Sequence, residues 1–116
     1  MLINFTNHPK LTWSDSQINL AQKNYGDIID LPFPKIDPNS STEMIYELAE
    51  NYFDKINKMS PVTVHLMGEL SFCYMLAKML EKNAIPCIVS TTKRVAYVDG
   101  EVKTAVFQFV SFRSYF

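Results

Sequence analysis

The sequence predicts an α/β fold: a mainly parallel sheet, helices on its faces and a C-terminal antiparallel hairpin. Three observations carry that expectation. Pro61 to Leu80 reads as a strand, a two-residue turn and a helix, the front half of a βαβ unit. Short apolar runs alternate with helix-length segments along most of the chain, the pattern of a parallel sheet with helices on its faces. Asp99-Gly100 then separates two strand-like runs, Val95–Val98 and Val102–Val110, which is a hairpin signal.

Taken in order, residues 1–6 (MLINFT) form a first apolar strand that ends at Asn7, His8 and Pro9. Ser14-Asp-Ser-Gln17 has the spacing of a capping box, and Ile18, Ala21 and Tyr25 keep helical spacing behind it. Gly26 closes that helix, and Asp27 to Leu31 is the second strand. Residues 32–41 form a polar, proline-rich loop. Ser40 and Glu43 make a second capping box before a helix reaching to about Lys58, with Met44, Ile45, Leu48, Tyr52 and Ile56 on its apolar face. Val62 to Met67 is the third strand, and Gly68 and Glu69 join it to a helix over Leu70–Leu80. That helix is apolar nearly all round, so it is expected to be buried on more than one side and to serve a subunit interface. Ile85 to Val89 is the fourth strand. Ser90-Thr-Thr-Lys-Arg94 is read as the loop after it, and the chain ends in an aromatic strand.

The 116 residues make one domain, 1–116, large enough to bury a core. A hydrophobic content of 47% with 20% charged residues argues against disorder. A net charge of −1 gives no electrostatic drive toward duplex nucleic acid. Cys73 and Cys87 both lie in apolar segments and read as buried, reduced thiols. His8 and His65 do not cluster with them, so no metal site is expected. There is no P-loop and no Gly-x-Gly-x-x-Gly, hence no expected cofactor. With no signal-peptide pattern and no segment fit to span a membrane, the expected setting is cytoplasmic.

In a parallel sheet the loops after the strands gather on one side, where ligands sit near helix N-termini. The first such loop offers Thr6, Asn7 and His8, and the second offers Phe33 between two prolines. The third offers Gly68, Glu69 and Ser71, and the last offers Ser90, Thr91, Thr92, Lys93 and Arg94. Three hydroxyls and two cations suit a phosphate or ribose, with Arg as a bidentate fork and Lys as a point charge. They equally suit a strand end followed by a solvated charge pair. His8 is either a general base or a turn residue before Pro9. Phe33 either stacks on a base or packs under its own loop. Glu69 either serves chemistry or stabilises the positive end of a helix dipole. His65, between Val64 and Leu66, reads as structural.

The opening MLINFTNHP, the HLMGE turn, and STTKR followed by a hairpin and an FRSY end resemble the small stand-alone accessory proteins of type III CRISPR systems. Those proteins carry a CRISPR-associated Rossmann fold. The resemblance covers nearly the whole chain. It implies a Rossmann-like three-layer homodimer that holds a cyclic oligoadenylate, the second messenger of type III immunity, across its two-fold axis. Some members of that group cleave the ring and others only sequester it. Cleavage would be metal-independent, with a ribose 2′-hydroxyl attacking its own phosphodiester. Lys93 or Arg94 would then stabilise developing charge and His8 would assist proton transfer. Two other readings stand beside this one. The first is a Rossmann-like enzyme on a free nucleotide or nucleoside, with Glu69 as nucleophile or base. The second is a structural or interaction subunit that uses the aromatic C-terminal strand and the helix over Leu70–Leu80.

Overall fold

A computed structural model describes residues 1–116. The elements are β1 (Leu2–Phe5), α1 (Asp15–Tyr25), β2 (Ile28–Asp30), α2 (Thr42–Met59), β3 (Thr63–Leu66), α3 (Leu70–Lys82), β4 (Cys87–Asp99) and β5 (Val102–Ser114). The fold is α/β. One five-stranded sheet runs β2-β1-β3-β4-β5, parallel from β2 to β4 and antiparallel between β4 and β5.

Successive residues of β1 point to opposite faces, and the two faces pack different helices. Ile3 and Phe5 join Val64 and Leu66 against α2 and α3. Leu2 joins Ile28, Ile88 and Trp13 against Ala21 of α1. The chain after β1 thus leaves toward one face and the chain after β3 toward the other. That divergence between neighbouring strands is where α/β sheets open a crevice at their carboxyl ends.

The helix starts follow local capping chemistry. Ser14 Oγ accepts the Gln17 N–H, as its spacing implies. The second cap is Ser41, one residue later than expected, and its Oγ accepts the Met44 N–H. Met44 accordingly faces solvent, while Ile45, Ala49 and Ile56 are buried. At the end of α3, the Ile85 N–H reaches Leu80 O and the Ala84 N–H reaches Glu81 O. This is the paired closure of a Schellman motif, with Ala84 at φ 56° in the position that usually holds glycine.

Within the single chain, helix α3 buries one face, formed by Phe72, Cys73, Leu76, Ala77 and Leu80, and leaves the apolar Leu70 and Tyr74 exposed on the side expected to serve a subunit interface. One expectation changes. The Ser90–Arg94 stretch is not a loop. It continues β4 without a break, because β5 returns alongside it and satisfies its backbone groups as far as Asp99↔Val102. A register shift at Thr91/Thr92 marks a bulge in that ribbon. The hairpin turn lies at Asp99-Gly100 as expected, with Gly100 at φ 63°. No helix is long and apolar enough to cross a membrane.

Replacing Ala84 by glycine removes the Cβ from a left-handed backbone position. The expected result is a gain of about 0.5 to 1 kcal/mol in a urea unfolding series, with an unchanged denaturant slope.

Candidate functional site

A row of polar side chains crosses the sheet on its α1 face, one from each parallel strand. Asp30 of β2 accepts from Asn4 of β1, Asn4 meets His65 of β3, and His65 meets Ser90 of β4. The distances are 2.8 Å for Asp30 Oδ1 to Asn4 Nδ2, 3.0 Å for Asn4 Oδ1 to His65 Nδ1 and 2.6 Å for His65 Nε2 to Ser90 Oγ. Strand register sets the row: Asn4 pairs with both Asp30 and His65, and Ser90 lies two residues beyond Ile88, the partner of His65.

The hydrogen positions follow from the partners. Asn4 Nδ2 faces two acceptors, the His8 carbonyl and Asp30 Oδ1, so Asn4 Oδ1 is the atom turned to His65. An acceptor opposite Nδ1 places the imidazole proton on Nδ1 and leaves Nε2 with its lone pair toward Ser90. Gln17 Nε2 donates to Ser90 Oγ at 3.2 Å, so the Ser90 hydroxyl gives its own proton to His65. Thr6 Oγ1 adds a second donor to Asn4 Oδ1 and accepts the His8 N–H.

His65 is buried between aromatic edges. Trp13 stands at 5.2 Å and Phe112 at 5.6 Å, both near perpendicular to the imidazole. Burial chiefly, with the nearby His8 adding to it, lowers the His65 pKa to about 4. The ring is therefore neutral at pH 7, in keeping with its role as acceptor toward Ser90.

Two cavities flank the turn that follows β1. The first, about 360 Å³, is lined by His65, Ser90, Gln17, Thr12 and His8, and by Trp13, Met67, Thr92, Phe107 and Phe109. The second, about 320 Å³, is lined by Asn4, Thr6, Asn7 and Asp30 with Pro9 and the Leu31–Phe33 segment. The polar row thus forms part of the wall of both.

The residues singled out from sequence separate into three groups. Thr6, His8, Ser90 and Thr92 belong to the row or the first cavity, and Asn7 to the second. Phe33, Gly68, Glu69 and Ser71 are occupied structurally. The Phe33 ring packs on Phe5 and Phe72, and Gly68 lies over it so closely that a Cβ there would overlap the ring. Glu69 is the N-cap of α3: its carboxylate accepts from the Ser71 hydroxyl and from the Ser71 and Phe72 N–H groups. Those bonds, the Ser71 hydroxyl first, lower its pKa, which favours the ionised cap. Thr91, Lys93 and Arg94 stand on the β4–β5 ribbon. Thr91 is spent on the backbone of Ser111. Arg94 pairs with Phe107 and so shares the cavity's face, whereas Lys93 pairs with Gln108 on the reverse face. The two cations do not converge, and neither lines the cavity.

Asn4, Asp30, Gln17 and Trp13 were missed, and His65 was read as structural. The available signal was the placement of Asn4 and His65, polar residues inside short apolar strands, since a buried polar group must find partners. Cys73 and Cys87 are buried and unpaired, and burial raises their pKa values to about 11 and about 12.

The model of the uncharacterized protein MJ1673 family matches residues 1–113, and the chain belongs to that family. No curated protein and no solved structure matches it.

Two outcomes follow from this geometry. Gly68→Ala should cost about 1 to 3 kcal/mol by overpacking Phe33, and should cost less in a Phe33→Leu background, measured as a double-mutant cycle in urea. His65 titrates lower in the folded chain than in the unfolded one, so the unfolded chain binds the extra proton between the two values. Stability should be flat above about pH 6.5 and fall by roughly 3 kcal/mol as pH drops toward 4, with that slope reduced in His65→Gln.

Proposed function

We propose that this chain is a Rossmann-like three-layer sandwich that binds a cyclic oligoadenylate across a homodimer in type III CRISPR antiviral signalling. The observation that carries the reading is the first cavity. It opens at the carboxyl ends of β1 and β3, where the chain diverges to opposite faces, the usual ligand position in such sheets. Its lining combines the hydroxyls of Thr12, Ser90 and Thr92, the Gln17 amide, and the rings of Trp13, Phe107 and Phe109. Hydroxyls and amides bond ribose and phosphate, and aromatic faces accept unpaired bases. Arg94 lies on the same face of the ribbon, two residues beyond Thr92, within reach of a ligand larger than the cavity.

The dimer is supported by the ribbon. Phe107 and Val98 are exposed on the ribbon face that carries the cavity, the face a partner must meet if one ligand is held between two copies. Glu69, the candidate base of the nucleotide-enzyme reading, has its carboxylate engaged in the cap of α3.

Thermal-shift titration with cyclic tri-, tetra- and hexa-adenylate, beside linear oligoadenylate and ATP, tests the proposal. One ring should raise the midpoint and the linear controls should not. Product analysis of the same sample distinguishes cleavage from sequestration. Arg94→Ala should weaken binding about tenfold, and Lys93→Ala, on the reverse face, should weaken it less. No shift with any ring would overturn the reading.

A further inference from the structure

A serine hydroxyl normally serves as donor or acceptor as its ligand requires. Ser90 has lost that freedom. Its proton is held by His65 Nε2 at 2.6 Å, and that assignment is enforced through Asn4 by Asp30 and the His8 carbonyl. One lone pair of Ser90 Oγ takes the Gln17 amide at 3.2 Å. What remains toward the cavity is a lone pair. Beside it stands Gln17 Nε2, which has Ser90 as its one protein partner and a second hydrogen to give. The floor of the cavity therefore presents an acceptor next to a donor.

We propose that Ser90 and Gln17 together recognise a ribose 2′-hydroxyl, with Ser90 Oγ accepting its proton and Gln17 Nε2 donating to its oxygen. This rests on the cyclic oligoadenylate reading for the identity of the ligand. A phosphate oxygen is an acceptor only and meets Ser90 lone pair to lone pair, so Ser90 is not a phosphate ligand. The adenine edge can answer both only with two atoms, an amine hydrogen for Ser90 and the adjacent ring nitrogen for Gln17, and such a pose would be indifferent to the 2′ position. A hydroxyl answers both. The pair thus selects an RNA-type messenger over a deoxy analogue.

The test has two arms. In the free protein at pH 7, the ¹⁵N spectrum of the labelled histidines should show His65 protonated at Nδ1. Protonation at Nε2 would overturn the acceptor assignment whatever the ligand. In the second arm, the ring that binds is compared with its all-2′-deoxy form. The wild-type chain should prefer the ribose ring by about tenfold or more, Ser90→Ala should lose that preference, and Ser90→Thr, which keeps the hydroxyl, should restore it. Circular dichroism of each variant checks the fold. A preference that survives in Ser90→Ala, or is absent from the wild type, would overturn the assignment while leaving the messenger reading intact. Failure of every ring to bind the wild type would overturn the messenger reading, and the ribose assignment with it.

Discussion

The transverse row from Asp30 to Ser90 is the constraint on which this side of the molecule depends. Asn4 and His65 are almost wholly buried, and a buried amide or imidazole without partners costs several times what a satisfied one contributes. Each member of the row is satisfied only if its neighbours are in register, because a one-residue slip turns a strand's side chains to the opposite face. The row therefore specifies the alignment of four strands whose backbone bonds alone would tolerate other registers. It also ties the sheet to what covers it. The His8 carbonyl accepts from both Asn4 and the Trp13 indole, and Gln17 of α1 ends on Ser90. Helix α1 is positioned by polar contacts as much as by the packing of Ala21.

The opposite face works by other means. Phe5, Phe33, Tyr52 and Phe72 form a nest of tilted and edge-on rings with centroids 4.9 to 5.9 Å apart. Gly68 owes its place to that nest, since the turn after β3 passes directly over Phe33. Glu69 then starts α3 by accepting two backbone N–H groups. The turn after β3 thus closes a hydrophobic layer, whereas the turn after β1 opens two cavities. The same carboxyl edge of one sheet is sealed on the face covered by α2 and α3 and accessible on the face that carries α1.

Much of this architecture was legible in the chain because it is written in local signals. Short apolar runs and helical apolar spacing located the strands and helices, Ser14 located a cap, and Asp99-Gly100 located the hairpin. The site was less legible, because its members are brought together by register. Nothing near Asn4 indicates that Asp30 and His65 will lie on either side of it. His65 reads as structural since a buried histidine ordinarily is, and only the atoms at its two nitrogens give it an orientation. The loop over Ser90–Arg94 was misplaced for a related reason. Polar, hydroxyl-rich sequence resembles a loop until a partner strand is known to run beside it.

The continuation of β4 through that segment changes what its residues can do. In a loop, Lys93 and Arg94 would both turn toward one ligand. In a strand they alternate, so Arg94 follows Ser90 and Thr92 on the cavity side while Lys93 joins the exposed Tyr97, Val102 and Val106 on the reverse. The ribbon therefore has two distinct faces: one extends the wall of the cavity with Phe107 and Phe109, and the other mixes exposed apolar side chains with the cations Lys93 and Arg113.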